Sequence, residues 1–312
     1  MAKSIHRVSV VVRDIEDLGA GVRQFCLSDE DGWELPPFTA GAHVDVHLPS
    51  GGVRQYSLSS DPKDVHCYRI AVQLEESGRG GSKDMHDNLQ VGQELLLSLP
   101  RNHFPMAAEG RVVMLAGGIG ITPFLSVLPE LADSKRDYIL HYCTRSADHS
   151  PFYDTLKPYA EAGRVRFHRS DENTRLDLAA LIGTLGADTH LYCCGPERMI
   201  DACLTMGEHL GERLHVEYFG ATQEADTAYE VELARSGRVI SVPEGQTMLQ
   251  ALRAADVDIA ASCEAGICLD CKTRWLQGAP VHRELTMPKA ERREWITPCV
   301  SGCEGGKIVL DL

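Results

Sequence analysis

The first third of the chain has the hydrophobic pattern of short β-strands. Residues 42–48 alternate between apolar and polar side chains with period two, and residues 68–74 and 93–99 are predicted to form two further strands. Turn segments rich in Gly, Ser and Asp separate them. Many short strands joined by Gly-rich turns predict a small barrel or sandwich over residues 1–106.

The pattern changes near residue 107, where continuous apolar runs replace the alternation. Such runs are typical of strands that are buried on both faces. Helical patterns lie between them, the first at 123–131 after a Gly-rich turn. The alternation of strand and helix predicts an α/β domain with a parallel sheet over residues 107–222. Its main predicted strands are 112–116, 138–142, 190–194 and 215–219.

A third pattern begins after residues 223–227, a polar segment that is predicted to be a linker. Residues 229–233 and 238–242 flank a short turn and are predicted to form a β-hairpin. Thr247 is placed to cap a helix that runs to about residue 255. A cysteine-rich segment follows, so residues 223–312 are predicted to be a third domain.

Composition restricts where the protein acts. The 312 residues carry a net charge of −14, which argues against nucleic acid or an anionic membrane as the main partner. No apolar run approaches the ~20 residues of a membrane span. The first residues lack the apolar core of a secretion signal. We therefore expect a cytoplasmic protein.

The chain has eleven cysteines, and an odd number without a secretion signal argues against a disulfide framework. Four of them are spaced as metal ligands, and the other seven are predicted to be buried apolar groups or spare thiols. Those seven are Cys26, Cys67, Cys143, Cys193, Cys194, Cys203 and Cys303.

The four spaced cysteines predict a 2Fe–2S cluster. Cys263, Cys268 and Cys271 form a C-x4-C-x2-C motif, and Cys299 follows after 27 residues. Such a cluster needs four thiolates. A zinc site and structural thiols are the alternatives, but structural zinc sites typically use two pairs of cysteines. Cys303 is a rival for the place of the fourth ligand.

The segment from about residue 228 to residue 312 resembles the plant-type ferredoxin domain, which has an α+β fold of the β-grasp class. The resemblance rests on the three-cysteine loop, the fourth cysteine and the closing strand 306–310. It implies that the fourth ligand is Cys299, because residues 298–301 are similar to the fourth-ligand turn of ferredoxins. Leu269 departs from the family, which usually has a small residue there.

Two short motifs in the first domain predict a flavin phosphate site. Arg54, Tyr56 and Ser57 match the R-x-Y-S motif of ferredoxin-reductase-type flavin domains. Arg54 is expected to pair with a phosphate, Tyr56 to pack on the isoalloxazine ring and Ser57 to bond near flavin N5. Glycines 80 and 81, with Ser82 as the cap, precede a helix predicted over 83–89, and a helix N-terminus favours an anion. A single phosphate site favours FMN over FAD.

The Gly-rich turn after strand 112–116 predicts a pyrophosphate-binding loop, since it follows a buried strand and opens a helix. It does not match G-x-G-x-x-G, because Pro123 stands at the third glycine position. It resembles the G-G-x-G-x-T-P loop of ferredoxin-reductase nucleotide domains. The residues that carry the resemblance are Gly117, Gly118, Gly120 and Thr122, and after a later strand Cys194, Gly195 and Pro196 match the family's C-G-P turn.

Two further positions bear on the nicotinamide nucleotide. Arg145 follows strand 138–142, where the adenosine ribose is expected, and Arg at this place can hold a 2′-phosphate. The reductases that the chain most resembles generally use NADH, so NADH is expected here. Residues 217–219 resemble the family's terminal E-x-F, which implies that Phe219 packs by the flavin.

The domain order over essentially the whole chain resembles the phthalate dioxygenase reductase and vanillate demethylase reductase family. The resemblance implies an antiparallel β-barrel with FMN, an α/β domain with NADH and a 2Fe–2S ferredoxin domain. It further implies that hydride passes from NADH to FMN, and that single electrons pass to the cluster and on to a Rieske non-haem iron oxygenase that docks transiently. The residues implied to act in the chemistry are Tyr56, Ser57, Cys194 and Phe219.

Three other functions stay open at this point. The same electron chain can serve another acceptor, such as a haem monooxygenase. The cluster can belong to a redox sensor or binding protein. A flavin-dependent reductase of a small organic substrate is the third, although no further domain is left to hold a substrate. We expect a monomer that binds neither nucleic acid nor membrane.

Overall fold

The computed structural model describes residues 7–50, 52–76, 80–172, 174–219, 227–261, 264 and 266–312. The chain divides into two compact units, one ending at Glu217 and the other beginning at Tyr218. No helix within these ranges is both long and apolar enough to cross a membrane. The predicted domain boundaries at 106/107 and 222/223 stay predictions.

The first unit begins with a six-stranded antiparallel sheet in the order β4-β3-β6-β1-β2-β5. Beyond β4, the Ser59 N–H donates to the Arg69 carbonyl at 2.8 Å and joins that end of the sheet to β5. The result is the predicted barrel. The strands are β1 Arg7–Asp17, β2 Val22–Ser28, β3 His43–His47, β4 Val53–Ser57, β5 Tyr68–Gln73 and β6 Glu94–Ser98, and the helix α1 is Gly81–Asn88.

Strand β3 is buried on both faces, although its alternating sequence predicts one exposed face. Its apolar positions enter the barrel core, and its polar positions are covered as well. Asp45 is neutralised there by Arg101, with an N–O distance of 2.7 Å. The His43 ring packs edge-on against His103, and burial lowers the pKa of His43 to about 3.

The rest of the first unit is a five-stranded parallel sheet in the order β11-β10-β7-β8-β9, as predicted. Helix α2 begins with Thr122 and Pro123, and proline is favoured in a first helical turn. The strands are β7 Arg111–Gly117, β8 Tyr138–Thr144, β9 Val165–Arg169, β10 Thr189–Cys194 and β11 Leu214–Glu217. The helices are α2 Thr122–Asp133, α3 Tyr153–Glu161, α4 Leu178–Gly183 and α5 Glu197–Met206.

The second unit has a five-stranded mixed sheet in the order β13-β12-β16-β14-β15. Its central strand β16 runs parallel to β12 and antiparallel to β14. Thr247 caps α6 as predicted, with Gln250 completing a capping box. The elements are β12 Tyr229–Leu233, β13 Val239–Val242, α6 Met248–Ala254, β14 Thr273–Val281, β15 Trp295–Ile296 and β16 Gly302–Leu310.

One expectation about the cysteines is wrong. Cys26 and Cys67, predicted to be separate thiols, are paired as a disulfide with their Cα atoms 6.1 Å apart. The pairing follows from strand register, because β2 and β5 are neighbours and Leu27 lies opposite Tyr68. Sequence spacing carries no sign of it, since 41 residues separate the two cysteines.

Candidate cofactor sites

The two flavin motifs of the sequence meet at the N-terminus of α1. Arg54 lies so close to Gly81 that a Cβ atom at residue 81 would be 2.4 Å from the Arg54 Nε atom. The guanidinium therefore lies beside the first turn of an eight-residue helix, whose free N–H groups also favour an anion. Gly80 adopts φ +77° just before the helix, a conformation that favours glycine. This arrangement fits a phosphate group.

The helix begins earlier than predicted, which changes the role of Ser82. Gly80, not Ser82, is the residue before the helix, and no side chain caps it. The Ser82 hydroxyl instead accepts a hydrogen bond from the Glu75 N–H at 3.0 Å. Tyr56 is half-buried against the barrel core, and Ser57 is buried at the end of β4. Their predicted contacts with the flavin ring stay predictions.

Replacing Gly81 by alanine is expected to weaken FMN binding about tenfold or more while leaving the fold intact. The added methyl group displaces the flexible end of Arg54 from the helix terminus, and a charge-assisted hydrogen bond contributes ~1.5–3 kcal/mol. FMN titration of the apoprotein, followed by flavin fluorescence, measures the loss. Arg54→Ala should give a similar loss, and the double variant should add little to either. Strictly additive losses would contradict the shared site.

The pyrophosphate loop and the C-G-P turn pack backbone against backbone. A Cβ atom at Gly120 would lie 2.3 Å from the Cys194 carbonyl oxygen, and one at Gly117 would lie 2.6 Å from Pro196 Cδ. A Cβ at Gly195 would be 3.0 Å from Gly117. Three glycines are therefore needed for the ends of β7 and β10 to approach this closely. The structure thus brings together two motifs that lie about 75 residues apart in sequence.

A cavity of about 910 Å³ opens beside these turns at the carboxyl ends of the parallel strands, the usual ligand position in such sheets. Gly117, Gly118, Arg145 and Pro196 line it, as the sequence predicts. Thr122 does not appear among the lining residues; its hydroxyl donates to the Ile119 carbonyl at 3.1 Å and fixes the loop. The lining residues that the sequence did not suggest include His168, Ser170, Arg175, Arg198 and Met199.

The cavity is positively charged. Among the described residues that line it, three are arginines and none carries a carboxylate. Ser170 follows β9 and holds the strand end beside it, since its N–H donates to the Thr144 carbonyl and its hydroxyl to the Arg145 carbonyl. The signal that could have found Ser170 is its position directly after a strand of the parallel sheet, next to the Arg145 turn.

Arg145→Ala is expected to lower kcat/KM for NADPH about tenfold or more and that for NADH much less. Only NADPH has the 2′-phosphate that a guanidinium at this position can pair with. Steady-state reduction of ferricyanide with each nucleotide measures the ratio. Arg166→Ala is the matched control, because Arg166 is exposed on the neighbouring strand but does not line the cavity. Equal losses for the two nucleotides would contradict the assignment.

Glu217 at the end of β11 is a candidate that the sequence analysis passed over. It lies opposite Cys194 on the neighbouring strand, and its Oε2 atom is buried with no hydrogen-bond partner among the described residues. Burial raises the pKa of Glu217 to about 8 and that of the Cys194 thiol well above its usual value. Burial therefore favours the neutral form of both groups. The clue in the sequence was the acidic first residue of the E-x-F motif.

Glu217→Gln is expected to make the first unit less sensitive to alkaline pH. Between about pH 5 and pH 8 the unfolded chain releases this proton while the folded chain keeps it, so stability falls as pH rises. The amide cannot ionise, and the variant should gain a few kcal/mol over the parent by about pH 9. Thermal unfolding followed across this range measures the difference. A constant difference in Tm between the two proteins would refute the raised pKa.

Phe219 lies two residues beyond β11 with 46% of its side-chain surface exposed, so its predicted packing by the flavin stays a prediction. The strand predicted over 215–219 ends at Glu217. Position 219 is therefore outside the parallel sheet that forms the nucleotide site.

Two of the predicted iron ligands meet in the second unit. The Sγ atoms of Cys271 and Cys299 are 3.3 Å apart, and both side chains are buried. This separation allows two thiolates to share one tetrahedral metal ion. Cys268 is half-buried, and Cys263 lies outside the described residues. Within the described ranges, no three His, Cys, Asp or Glu side chains form a metal-binding group. The rival Cys303 lies on β16, where its thiol donates to the Glu304 carbonyl.

The backbone of the three-cysteine loop is bent as a cluster loop requires. Gly266 has φ +74°, and a Cβ atom there would lie 2.7 Å from a methyl group of Val300, beside Cys299. The loop therefore packs directly on the turn that carries the fourth cysteine. Leu269 also adopts positive φ, +60°, which costs a non-glycine residue ~1 kcal/mol. Glycine would adopt this conformation without that cost. Thiol donors and the close-fitting loop both fit an iron–sulfur cluster.

Comparison with known proteins identifies two domain families in the chain. Residues 231–304 match the family described as "2Fe-2S iron-sulfur cluster binding domain". Residues 114–205 match the family described as "Oxidoreductase NAD-binding domain". The two matched segments contain the cysteine loop and the pyrophosphate loop respectively.

The chain is similar over nearly its whole length to the structure titled "Phthalate dioxygenase reductase: a modular structure for electron transfer from pyridine nucleotides to [2Fe-2S]". The TM-score is 0.89 with 34% identity, and 98% of each chain is covered. It is 44% identical to the vanillate O-demethylase oxidoreductase of Pseudomonas sp. strain HR199 over 294 residues, 90% of this chain and 92% of the relative. The chain belongs to the phthalate dioxygenase reductase family.

Another similar protein is named for a heme-dependent enzyme. The heme-dependent oxidative N-demethylase beta subunit of Ectopseudomonas mendocina is 41% identical to this chain over 310 residues, 98% of this chain and 99% of the relative. Family membership makes this chain an electron-transfer oxidoreductase, with FMN, a 2Fe–2S cluster and NADH as its cofactors. The cofactors follow from family membership, whereas the relatives are named for different oxygenase systems.

Proposed function

We propose that the chain is the NADH-dependent reductase component of a two-component Rieske non-haem iron oxygenase that hydroxylates or demethylates its substrate. The observation that carries the proposal is the 44% identity to a vanillate O-demethylase oxidoreductase over 90% of the chain. The glycine-lined cavity, the anion site at α1 and the paired buried thiols support it.

The first unit's residues bind and orient the two soluble cofactors. Gly117 and Gly118 line the cavity that would take the pyrophosphate, Gly120 lets the loop pack on the C-G-P turn, and the cavity arginines would neutralise the pyrophosphate charge. Arg54 and the α1 N-terminus would hold the FMN phosphate, with Tyr56 and Ser57 against the ring. The chemistry that bound FMN supplies is the conversion of a two-electron hydride into single electrons.

The residues next to the predicted nicotinamide position keep that position free of charge. Burial raises the pKa of both Cys194 and Glu217 and so favours their neutral forms, which disfavours charge at this position. No acid–base pair is needed, since hydride transfer depends on placement of the two rings. In the second unit, Cys263, Cys268, Cys271 and Cys299 would hold the cluster with its iron bound by thiolates.

The experiment is reconstitution. Purified protein is mixed with NADH and a Rieske oxygenase that demethylates methoxyarenes, hydroxylates aromatic acids or oxidises quaternary amines, and product is measured. The visible spectrum is recorded first, before and after NADH. We expect a flavin band and an iron–sulfur shoulder that bleach with NADH, and product with one of the oxygenase classes. Absence of both bands would contradict the whole proposal.

A haem oxygenase is the second candidate acceptor, favoured by the 41% identity to a heme-dependent N-demethylase subunit over almost the full chain. The same reconstitution decides between the two, with a haem N-demethylase component in place of the Rieske protein. Product with the haem component alone would transfer the proposal to that class. Slow reduction of ferricyanide or cytochrome c by NADH would instead favour a redox sensor.

We also infer that docking is transient, that the reductase is a monomer and that it works in the cytoplasm. A carrier of single electrons must release its acceptor between turnovers, which favours a small and short-lived interface. The cytoplasm supplies NADH. Light scattering after size exclusion tests the oligomeric state, and cell fractionation tests the location.

A further inference from the structure

One carboxylate in the second unit, that of Glu284, is buried. Burying a charged group carries a free-energy cost. The Glu284 side chain is fully buried, and an ion taken out of water loses several kcal/mol of hydration unless partners replace it. Neither the sequence motifs nor the comparison with relatives gives Glu284 a role. The contacts of such a group decide what it can hold in place.

Each oxygen of Glu284 has its own set of partners. Oε1 lies 2.9 Å from Arg292 Nε and 3.1 Å from His282 Nδ1. Oε2 accepts hydrogen bonds from the Ser301 hydroxyl at 2.7 Å and the Thr297 hydroxyl at 3.3 Å. Arg292 also donates to the Glu284 backbone carbonyl at 2.8 Å. One oxygen therefore faces Arg292 and His282, and the other accepts hydrogen bonds from two hydroxyls.

The two hydroxyls lie on either side of the predicted fourth ligand. Thr297 and Ser301 are two residues before and two residues after Cys299. The Val300 and Ser301 N–H groups both donate to the Thr297 carbonyl, so residues 297–301 form one tight turn. Glu284 Oε2 therefore accepts a hydrogen bond from each end of this turn.

The backbone around Glu284 contacts the other part of the ligand set. The Leu285 N–H donates to the Gly266 carbonyl at 2.9 Å, inside the three-cysteine loop. A Cβ atom at Gly266 would lie 3.1 Å from Glu284 Cα. Residue 284 thus lies between the loop of Cys268 and Cys271 and the turn of Cys299.

We propose that Glu284 is a positioning residue that holds the Cys299 turn against the three-cysteine loop, so that the Cys271 and Cys299 thiols are arranged before the cluster binds. Arg292 and His282 orient Oε1, and Oε2 accepts both hydroxyl hydrogen bonds. The inference rests on the 2Fe–2S cluster of the proposed function but not on the identity of the acceptor. Residues acting through metal ligands in this way typically change metal affinity 10–100-fold.

The experiment distinguishes the effect of side-chain length at residue 284 from the effect of its charge. Glu284→Asp keeps the charge but is one methylene too short to reach the turn, whereas Glu284→Gln keeps the length without the charge. We expect iron release to a chelator to be at least about tenfold faster in the Asp variant. The Gln variant should keep its cluster with a midpoint potential shifted to more positive values and altered EPR g-values. Glu232→Gln is the control, because Glu232 pairs with Lys307 at the exposed surface.

A second variant controls for misfolding of the Glu284 variants. Thr297→Val with Ser301→Ala removes both hydroxyls and leaves the ion pair with Arg292 intact. It should also speed iron release about tenfold. Parent-like release from this double variant or from the Asp variant would overturn the proposal, as would parent-like EPR g-values in the Gln variant. The spectrum of the parent protein distinguishes failure of this inference from failure of the proposed function. A parent protein without a 2Fe–2S spectrum contradicts the proposed function itself.

Discussion

Serine in place of Cys299 is expected to remove the parent 2Fe–2S spectrum, whereas serine in place of Cys303 is expected to preserve it. The two cysteines are four residues apart and equally buried, so sequence and burial do not separate them. Their surroundings do, since Cys299 Sγ lies 3.3 Å from Cys271 Sγ, while the Cys303 thiol donates to the Glu304 carbonyl on β16. Losing one of four thiolates leaves an iron without its ligand.

The pair of variants is its own control, because each removes one buried sulfur from the same domain. Iron and acid-labile sulfide per chain, together with visible circular dichroism, measure the outcome. Flavin content should be unchanged in both, since FMN is expected to bind to the first unit. If the Cys303 variant lost the cluster and the Cys299 variant kept it, Cys303 would be the fourth ligand instead of Cys299.

Alanine at Gly120 is expected to abolish nicotinamide-dependent reduction of the flavin. The added Cβ would lie 2.3 Å from the carbonyl oxygen and 2.5 Å from the carbonyl carbon of Cys194, and 2.8 Å from the Cα of Gly195. All three atoms belong to the backbone, so the pyrophosphate loop and the C-G-P turn must separate. A displacement of about 1 Å at such a site lowers turnover ~100-fold, and overpacking costs about 3 kcal/mol.

Stopped-flow reduction by NADH at increasing concentrations measures this loss, and dithionite reduction shows whether the flavin is still bound. Gly183→Ala is the matched control, since a Cβ at the end of α4 would meet no atom within 4 Å. That variant should bind and oxidise NADH like the parent. Normal flavin reduction in the Gly120 variant would mean that the nucleotide does not use this loop.

Local chemistry explains what could be predicted from the sequence. Thr247 and Gln250 form a capping box that spans only four residues, so the start of α6 could be predicted from the sequence. The parallel strands were readable because a strand buried on both faces has a continuous apolar run, as in β7. The glycine loop was readable because its glycines serve a contact that no other residue allows.

The features that the sequence did not reveal depend on contacts between distant segments. The disulfide of Cys26 and Cys67 follows from the pairing of β2 with β5. Ser82 resembled a helix cap, but the glycine before α1 adopts positive φ and the helix starts earlier. Glu284 looks like an ordinary surface acid in the sequence, and only the assembled structure shows that it is buried and that Glu217 Oε2 is buried as well.

The place of β16 in the second sheet has a consequence for biosynthesis. It is the central strand, paired with β12 on one side and β14 on the other, yet it follows all four predicted ligands in sequence. Pairing between β12 and β16 is non-local and parallel, which makes it a late event in folding. The nascent chain therefore carries four synthesised thiols before its sheet can close. A chain that stalls before β16 is synthesised should have a second unit that proteases cut more readily than that of the complete chain.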